Sequence, residues 1–211
     1  MDFTYESKDT KQKLETYEWD NVWFEQAPVC NKPRLMIIGD SISCGYRRMV
    51  TEITEERILA DGIGTSKAID NPFFSALIDY IFAQESERNV IQFNNGLHGW
   101  HLSDEEYKFH YSKMIDFLLT KIKPEKLIIA LTTPVRDKTD LSKFDERNER
   151  VIKRNEAASD IARSHGLIIN DLYTLTVEKP ELWVMDGVHL NEDGYRLIAG
   201  QVADFAEKCL A

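Results

Sequence analysis

Residues 34–43 read Arg-Leu-Met-Ile-Ile-Gly-Asp-Ser-Ile-Ser, a short apolar run that stops at a glycine and an aspartate. An apolar run of this length before a turn signal is typical of a buried parallel strand. The sequence therefore predicts that Ser41 stands at the carboxyl edge of a sheet, immediately before a helix. Ligands of open α/β sheets bind at that edge, so Ser41 is a candidate nucleophile.

Strand and helix patterns alternate along the rest of the chain. Apolar runs predict four further strands, at residues 57–60, 89–93, 126–131 and 167–171. Helical spacing predicts helices at residues 46–57, 72–82, 103–123 and 147–164, and from Asn191 onward. Residues 61–66 read as a Gly-rich turn and residues 137–146 as a polar surface loop. This order predicts an α/β fold, with a five-stranded parallel sheet, right-handed crossovers and helices on both faces.

The chain divides into two predicted parts. Residues 34–211 form one domain, and a hydrophobic fraction of 43% is ample for its core. Residues 1–33 are polar and carry scattered aromatic side chains, namely Phe3, Tyr5, Tyr17, Trp19, Trp23 and Phe24. We expect this N-terminal extension to pack its aromatic rings on the domain, with a lid or a dimer contact as the alternatives.

The overall charge narrows the class of partner. A formal net charge of -10 repels phosphate backbones and anionic membranes, so neither nucleic acid nor a membrane is an expected partner.

The three cysteines are widely spaced, which favours reduced thiols over a disulfide framework or a metal site. The N-terminus lacks a signal-peptide pattern, so a cytoplasmic location is expected. The expected partner is a small-molecule substrate. The sequence leaves open whether the chain forms a homo-oligomer.

Two residues near the far end of the chain supply the groups that a serine nucleophile requires. A serine hydroxyl is weakly nucleophilic at neutral pH and needs a base to accept its proton. In the segment Asp186-Gly-Val-His189, His189 is the candidate base and Asp186 can hold its other ring nitrogen. The backbone N–H groups of Ser41 and of the turn at Gly64 are candidate donors to an oxyanion.

These motifs carry a family resemblance. Gly39-Asp-Ser-Ile-Ser43 and Asp186-Gly-Val-His189 resemble the first and last motif blocks of the SGNH (GDSL-type) hydrolases, and the strand order of residues 34–211 is similar. The resemblance implies a flavodoxin-like three-layer α/β/α sandwich. It also implies hydrolysis of small acyl esters through an acyl-enzyme without a cofactor, with O-acetyl groups of carbohydrate as one candidate substrate.

The same resemblance implies a role for each matching residue. Ser41 matches the nucleophile and first oxyanion donor, His189 the base, and Asp186 the partner of that base. The turn at Gly64 matches the block that supplies a backbone donor to the oxyanion, and Gly62 and Ser66 in the same turn are alternatives.

The third motif block departs from the family pattern. The family usually shows Gly-X-Asn-Asp, whereas this chain has Gly96-Leu-His98-Gly99, so His98 replaces the asparagine and Gly99 the aspartate. This loop resembles a branch that reads Asn-X-Gly-Leu-His-Asp. An imidazole can still donate one N–H, which makes His98 the candidate third donor, with Asn94 and Asn95 as alternatives.

Further polar residues at the predicted strand ends are candidates for contact with substrate. Thr132 and Thr133 follow the fourth strand, Asp40 precedes Ser41, and Asn95 lies in the third-block loop.

Two other functions compete with an esterase. A catalytically inactive binding module for carbohydrate or a small molecule would explain the altered third block. A metal hydrolase using His98, His101 and Asp186 is the weaker alternative, because no carboxylate motif joins the two histidines. No strand is followed by G-X-G-X-X-G, so neither a nucleotide nor a flavin is expected.

Overall fold

The structure is a computed structural model that describes residues 14–84 and 88–211. The strands are β1 (Asp20–Trp23), β2 (Arg34–Gly39), β3 (Leu59–Thr65), β4 (Val90–Phe93), β5 (Leu127–Ala130), β6 (Arg136–Asp137), β7 (Asp140–Phe144) and β8 (Ile168–Asn170). The helices are α1 (Ser41–Ile53), α2 (Phe74–Gln84), α3 (Asp104–Leu119), α4 (Asn148–Ser164), α5 (Leu172–Thr176) and α6 (Glu192–Leu210). None of the described helices has the length and apolar character needed to cross a bilayer.

The central sheet confirms the predicted α/β fold. Its strand order is β1-β3-β2-β4-β5-β8, and the five strands from β3 to β8 are parallel. The order of these five strands across the sheet is that of the flavodoxin-like fold. The topological switch point lies between β2 and β4. Ligands of such sheets bind outside the carboxyl ends of the strands at this point, and Ser41 directly follows β2.

A sixth strand, β1, extends the predicted five-stranded sheet. It pairs antiparallel with β3, and all four of its residues are exposed, so it has no apolar run to reveal it. The described part of the N-terminal extension thus contributes to the sheet. Phe3 and Tyr5, two of the aromatic residues expected to pack on the domain, lie outside the described residues. The division at residue 34 stays a prediction.

Helices cover both faces of the sheet. Leu35 and Ile37 belong to the core shared with α1 and α6, whereas Met36 and Ile38 belong to the core shared with α2 and α3. Both faces of β2 are therefore buried, which explains its continuous apolar sequence. This is the three-layer arrangement that the family resemblance implied.

The prediction of a Gly-rich turn at residues 61–66 is wrong, because β3 continues through Thr65. The glycines instead give room to α1, which packs closely on the sheet. A Cβ at Gly62 would lie 2.6 Å from Cδ of Arg47, and one at Gly64 would lie 2.2 Å from Sγ of Cys44.

Two other segments differ from their predictions. The predicted polar loop at residues 137–146 contains the β6–β7 hairpin. The guanidinium of Arg136 lies between the rings of Phe144 and Trp183, 4.9 and 4.7 Å from their centroids, and donates to Leu141 O at 2.9 Å. The first helix begins at Ser41 rather than at residue 46, because the Asp40 side chain caps it by accepting from Ile42 N at 2.9 Å.

Candidate active site

The structure brings Ser41, His189 and Asp186 together at the carboxyl edge of the sheet. Oγ of Ser41 lies 2.8 Å from Nε2 of His189, and Nδ1 of His189 lies 2.7 Å from Oδ2 of Asp186. Both distances are within hydrogen-bonding range, and they connect a hydroxyl, an imidazole and a carboxylate in one continuous chain. This is the geometry that activates a serine nucleophile.

Ser41 owes its position to the junction between β2 and α1. The strand ends at Gly39, Asp40 caps the helix, and Ser41 is the first helical residue. The first N–H groups of a helix have no acceptor within the helix, and they carry the positive end of its dipole. The N–H of Ser41 is therefore suited to binding negative charge that develops beside its own hydroxyl.

The loop of residues 186–189 holds His189 and Asp186 largely by its own contacts. Oδ1 of Asp186 accepts from the N–H groups of Val188 and His189, both at 2.8 Å. Burial raises the pKa of Asp186, but these two N–H groups and the His189 ring outweigh it, so its pKa lies below the usual value of 3.8. Asp186 is thus held as a carboxylate facing His189.

Gly187 is required at the turn of this loop. Its φ is +73°, and a Cβ there would lie 2.1 Å from the carbonyl oxygen of Arg136. The backbones of Gly187 and Arg136 approach closely enough to form a hydrogen bond, in which Arg136 N donates to the carbonyl of Gly187 at 2.7 Å. A residue with a side chain would break this contact between the loop and β6.

His98 and Ser41 line the same small cavity, of about 20 Å3. The remaining lining residues are mostly apolar: Leu97, Trp100, Val135, Arg147 and Val188. The third-block histidine therefore lies on the wall of the cavity into which the candidate nucleophile opens.

The third-block loop is fixed by side chains from distant parts of the chain. Arg154 of α4 is 2% exposed, and it donates to the carbonyls of Gly96 at 3.0 Å, His98 at 2.7 Å and Gly99 at 2.6 Å. Burial lowers the pKa of Arg154 to about 10, so the guanidinium keeps its charge at neutral pH. From the N-terminal segment, Oε1 of Glu15 accepts from Gly99 N at 2.7 Å. Neither anchor was among the residues predicted to form the site.

The sequence comparison decides the family. The profile of the GDSL-like Lipase/Acylhydrolase family matches residues 79–197, more than half of the chain. The chain belongs to this family. It is accordingly a hydrolase of the GDSL type, as the motifs predicted, and the match includes both the third-block loop and the Asp186–His189 segment.

Solved structures of several hydrolases, two of them described as GDSL proteins, share the fold at low sequence identity. A lipolytic GDSL-family protein from Veillonella parvula superimposes with a TM-score of 0.65 at 21% identity, over 81% of this chain and 96% of that one. A GDSL-like lipase from Bacteroides thetaiotaomicron gives 0.65 at 16% identity, covering 86% and 93%. An acetyl xylan esterase gives 0.62 at 19% identity, covering 80% and 97%. No curated protein sequence matches the chain.

Gly64 does not lie in the turn that the sequence predicted for it. It lies inside β3, in register with Asn21 on one side and with Gly39 on the other, so its backbone belongs to the sheet rather than to a turn. The predicted turn is thus absent at this position, where Cys44 packs closely over the glycine, and the role of Gly64 as an oxyanion donor stays a prediction.

The side chains of Asn94 and Asn95 hold backbone rather than face Ser41. Nδ2 of Asn94 donates to Ala130 O at 2.8 Å, and Nδ2 of Asn95 donates to Lys67 O at 2.8 Å. Of the three candidates for the family's side-chain donor, His98 is the one that lines the cavity of Ser41.

The other predicted substrate contacts are buried beneath the site. Asp40, Thr132 and Thr133 are between 2% and 4% exposed and line a separate cavity of about 10 Å3. Thr132 anchors the third-block loop from below, because its Oγ1 accepts from Asn94 at 2.9 Å. The structure gives these residues packing contacts, and their contact with substrate stays a prediction.

The residues proposed for a metal hydrolase have other partners. Nε2 of His101 lies 3.0 Å from Asp70, whereas Asp186 faces His189. Across residues 14–84 and 88–211, no three histidine, cysteine or acidic side chains are grouped so that they would bind a metal ion.

Proposed function

We propose that this GDSL-family hydrolase is a serine esterase that cleaves small esters, with O-acetyl groups of carbohydrate as its substrate class. The observation that carries the proposal is the hydrogen-bonded chain from Ser41 through His189 to Asp186, at 2.8 and 2.7 Å. In this mechanism Ser41 is the nucleophile, His189 the general base and Asp186 the group that orients the ring.

The reaction has two halves. Oγ of Ser41 attacks the ester carbonyl while Nε2 of His189 accepts its proton, and the tetrahedral intermediate forms with its oxyanion. Its collapse breaks the bond to the alcohol, which leaves with the proton from His189, and the acyl group stays on Ser41. A water molecule, deprotonated by His189, then attacks the acyl-enzyme, and the acid is released as Ser41 regains its proton.

Two donors suit the oxyanion. The N–H of Ser41 lies at the positive end of α1, and the ring of His98 lies on the wall of the same cavity. Donors fixed in advance at the position where charge develops stabilise the transition state, and one such donor is worth about 2.7–4 kcal/mol of barrier.

The size of the cavity supports a short acyl group. A space of about 20 Å3 holds little more than one water-sized group, since one water needs about 10–15 Å3 on the same measure. An acetyl methyl fits this space, whereas a longer acyl chain would extend beyond it. Arg147 on the wall is paired with Asp145, at 2.7 and 3.0 Å, so the cavity suits an uncharged acyl group.

The comparison with an acetyl xylan esterase of the same fold is consistent with this substrate class. Its identity of 19% supports the fold alone, so the substrate is proposed from the cavity and tested directly.

The test is hydrolysis of nitrophenyl acetate, butyrate and octanoate by the wild type and by Ser41→Ala. We expect kcat/KM to fall with acyl length, and the alanine variant to lose at least about 10³-fold in kcat. Release of acetate from acetylated xylan then tests the carbohydrate class. An alanine variant as active as the wild type would refute the mechanism, and a wild type that no fluorophosphonate probe labels would favour the inactive binding module.

A further inference from the structure

The N-terminal segment places a buried carboxylate beside the third-block loop. Glu15 is 4% exposed, and its Oε1 lies 2.7 Å from Gly99 N and 3.4 Å from Nδ1 of His98. Its second oxygen, Oε2, is buried with no hydrogen-bond partner among the described residues. A carboxylate in such surroundings is costly to bury unless its proton or charge is shared with a neighbour.

The segment that carries Glu15 is fixed on the domain. Trp19 N donates to Oγ of Ser66 at 2.8 Å, and the Trp19 ring meets the His98 ring edge to face at 6.4 Å. The strand β1 follows directly and pairs with β3. Glu15 is therefore held in place by the sheet and by the loop after β3.

Anchoring the loop does not by itself explain a carboxylate here. Gly99 N needs one acceptor, and the amide oxygen of a glutamine would serve it without the penalty of burying an acid. An amide cannot reproduce two features of this carboxylate, namely its negative charge near the buried guanidinium of Arg154 and the exchange of a proton with the His98 ring, since an amide does not ionise.

We propose that Glu15 is a positioning residue for ester hydrolysis, which fixes the protonation and orientation of His98. The inference rests on the proposed function, in which His98 donates to the oxyanion. Glu15 and Nδ1 of His98 share one proton across their 3.4 Å contact. With that proton on either partner, Nε2 of the ring keeps its own N–H, and this N–H serves the cavity that contains Ser41.

The variant Glu15→Gln separates this role from loop anchoring. The glutamine oxygen faces Gly99 N and therefore also faces Nδ1, where it favours the ring tautomer that has its proton on Nδ1 and none on Nε2. We expect kcat to fall about 10- to 100-fold with KM nearly unchanged, somewhat less than the 10²–10³-fold typical of deleting an oxyanion donor. Thermal stability should stay close to that of the wild type, because the anchor to Gly99 remains.

Glu18→Gln is the matched control. Glu18 lies in the same segment and accepts from Glu15 N at 3.0 Å, and it lies 3.7 Å from Nζ of Lys67. It has the same charge as Glu15, but its side chain contacts Ser66, Asn71 and Lys67, so its variant should keep the wild-type kcat. A loss in Glu18→Gln equal to that in Glu15→Gln would overturn the inference, because net charge alone would then explain both.

A double-mutant cycle tests the route through His98. In His98→Asn an amide donates without any ring tautomer, so adding Glu15→Gln to it should change kcat by less than about twofold. If Glu15→Gln lowers kcat as much in His98→Asn as in the wild type, Glu15 acts through the loop and the inference is wrong.

The outcomes also separate this inference from the proposed function. Full activity in Ser41→Ala would refute the proposed chemistry and this inference with it, whereas a wild-type kcat in His98→Ala would refute the donor role of His98 and the role of Glu15 but leave Ser41 as the nucleophile. Loss in both of those variants, combined with a wild-type kcat in Glu15→Gln, would refute the role of Glu15 alone. If Glu15→Gln does not fold, the 15N spectrum of the wild-type histidines decides, because a His98 ring without a proton on Nε2 contradicts the proposal.

Discussion

Two loops meet over the candidate nucleophile, and they are held in opposite ways. In the loop of residues 186–189, Asp186 binds the N–H groups two and three residues further along, and the ring of His189. The loop of residues 94–99 is instead held by partners remote in sequence, with Arg154 up to 58 residues away and Glu15 84 residues away. The first loop is stabilised by contacts within itself, whereas the second is stabilised by contacts that form only in the complete fold.

The two loops also differ in burial. The side chain of Asp186 is 50% exposed, whereas Arg154 is 2% exposed. Replacing a half-exposed group that contacts its own turn should change the chemistry more than the stability. Replacing a buried group that satisfies several carbonyls should change the stability first. The predictions below test this division, from the largest expected effect to the smallest.

The largest expected effect is on catalysis, from Asp186→Asn. The asparagine oxygen can still accept from Val188 and His189, but its amide faces Nδ1 and favours the wrong ring tautomer. We expect kcat to fall about 10³–10⁴-fold, with a melting temperature close to that of the wild type. Steady-state kinetics and thermal unfolding measure the two quantities. A large drop in melting temperature would show that the contacts of Asp186 stabilise the whole domain and not only this loop.

The next effect is on stability, from Arg154→Met, which keeps an apolar stem and removes the guanidinium. The carbonyls of Gly96, His98 and Gly99 would lose their buried donor, and a buried unsatisfied group costs about 1–3 kcal/mol. We expect the free energy of unfolding to fall by about 3–5 kcal/mol in urea titrations.

Arg196→Met is the matched control for this prediction. Arg196 lies on α6 with a side chain that is 51% exposed, and its partner Glu192 is 3.5 Å away. Exposed pairs of this kind contribute about 0–1 kcal/mol, so the control should stay close to the wild type. Equal losses in the two variants would contradict the division between the loops.

The same division explains which parts of the site could be predicted from sequence. Asp186 and His189 are three residues apart in one segment, so their spacing alone predicts the contact between them. Ser41 is predictable because an apolar strand ends at it. Nothing near residues 94–99 indicates Glu15, because that contact exists only once β1 has paired with β3.

The burial of Arg154 could have been predicted from its position in the helical register of α4. It lies three residues after Val151 and four before Ala158, so it shares the buried stripe of α4. Ile152, the residue after Val151, is 40% exposed and lies outside this stripe. A charged residue on the buried face of an amphipathic helix predicts a buried polar partner, and here the partner is the third-block loop.

The glycines of β3 show a different limit of sequence reasoning. Gly62 and Gly64 resemble turn residues, but their purpose is close packing with Arg47 and Cys44 of α1. Whether a glycine serves a turn or a close approach depends on what packs against it, which the sequence around it does not record.

Gly187→Ala tests the backbone contact that the loop of residues 186–189 makes with β6. Alanine there adopts a φ of +73° and places its Cβ 2.1 Å from Arg136 O, so both strain and a clash result. We expect a loss of about 2–3 kcal/mol in unfolding free energy and a clear loss of kcat.

Gly166→Ala supplies the control, because Gly166 also has a positive φ, +66°, but a Cβ there meets no atom within 4 Å. We expect a loss of about 1 kcal/mol, from backbone conformation alone, and a wild-type kcat. Equal behaviour of the two alanine variants would mean that the contact with Arg136 is dispensable, and the loop still more self-contained than the structure indicates.

The smallest expected effect is a dependence of stability on pH. The pKa of Asp186 is raised by burial, but its hydrogen bonds outweigh this and hold it below 3.8 in the folded chain. The ionised form therefore stabilises the fold above the unfolded pKa of about 3.9, and this contribution is lost as pH falls through the folded pKa. Since the side chain is half exposed, solvent screening keeps the contribution below about 1 kcal/mol.

Urea titrations between about pH 6 and pH 3 measure this effect as the stability difference between the wild type and Asp186→Asn, which cannot ionise. The difference should shrink as the pH falls below about 4. Arg154 itself stays charged over the same range, because its pKa, about 10, lies far above it, so its own titration does not contribute to this pH dependence. A difference between the wild type and Asp186→Asn that stays constant down to about pH 3 would mean that ionised Asp186 does not stabilise the folded chain, which contradicts the local hydrogen bonding of this loop.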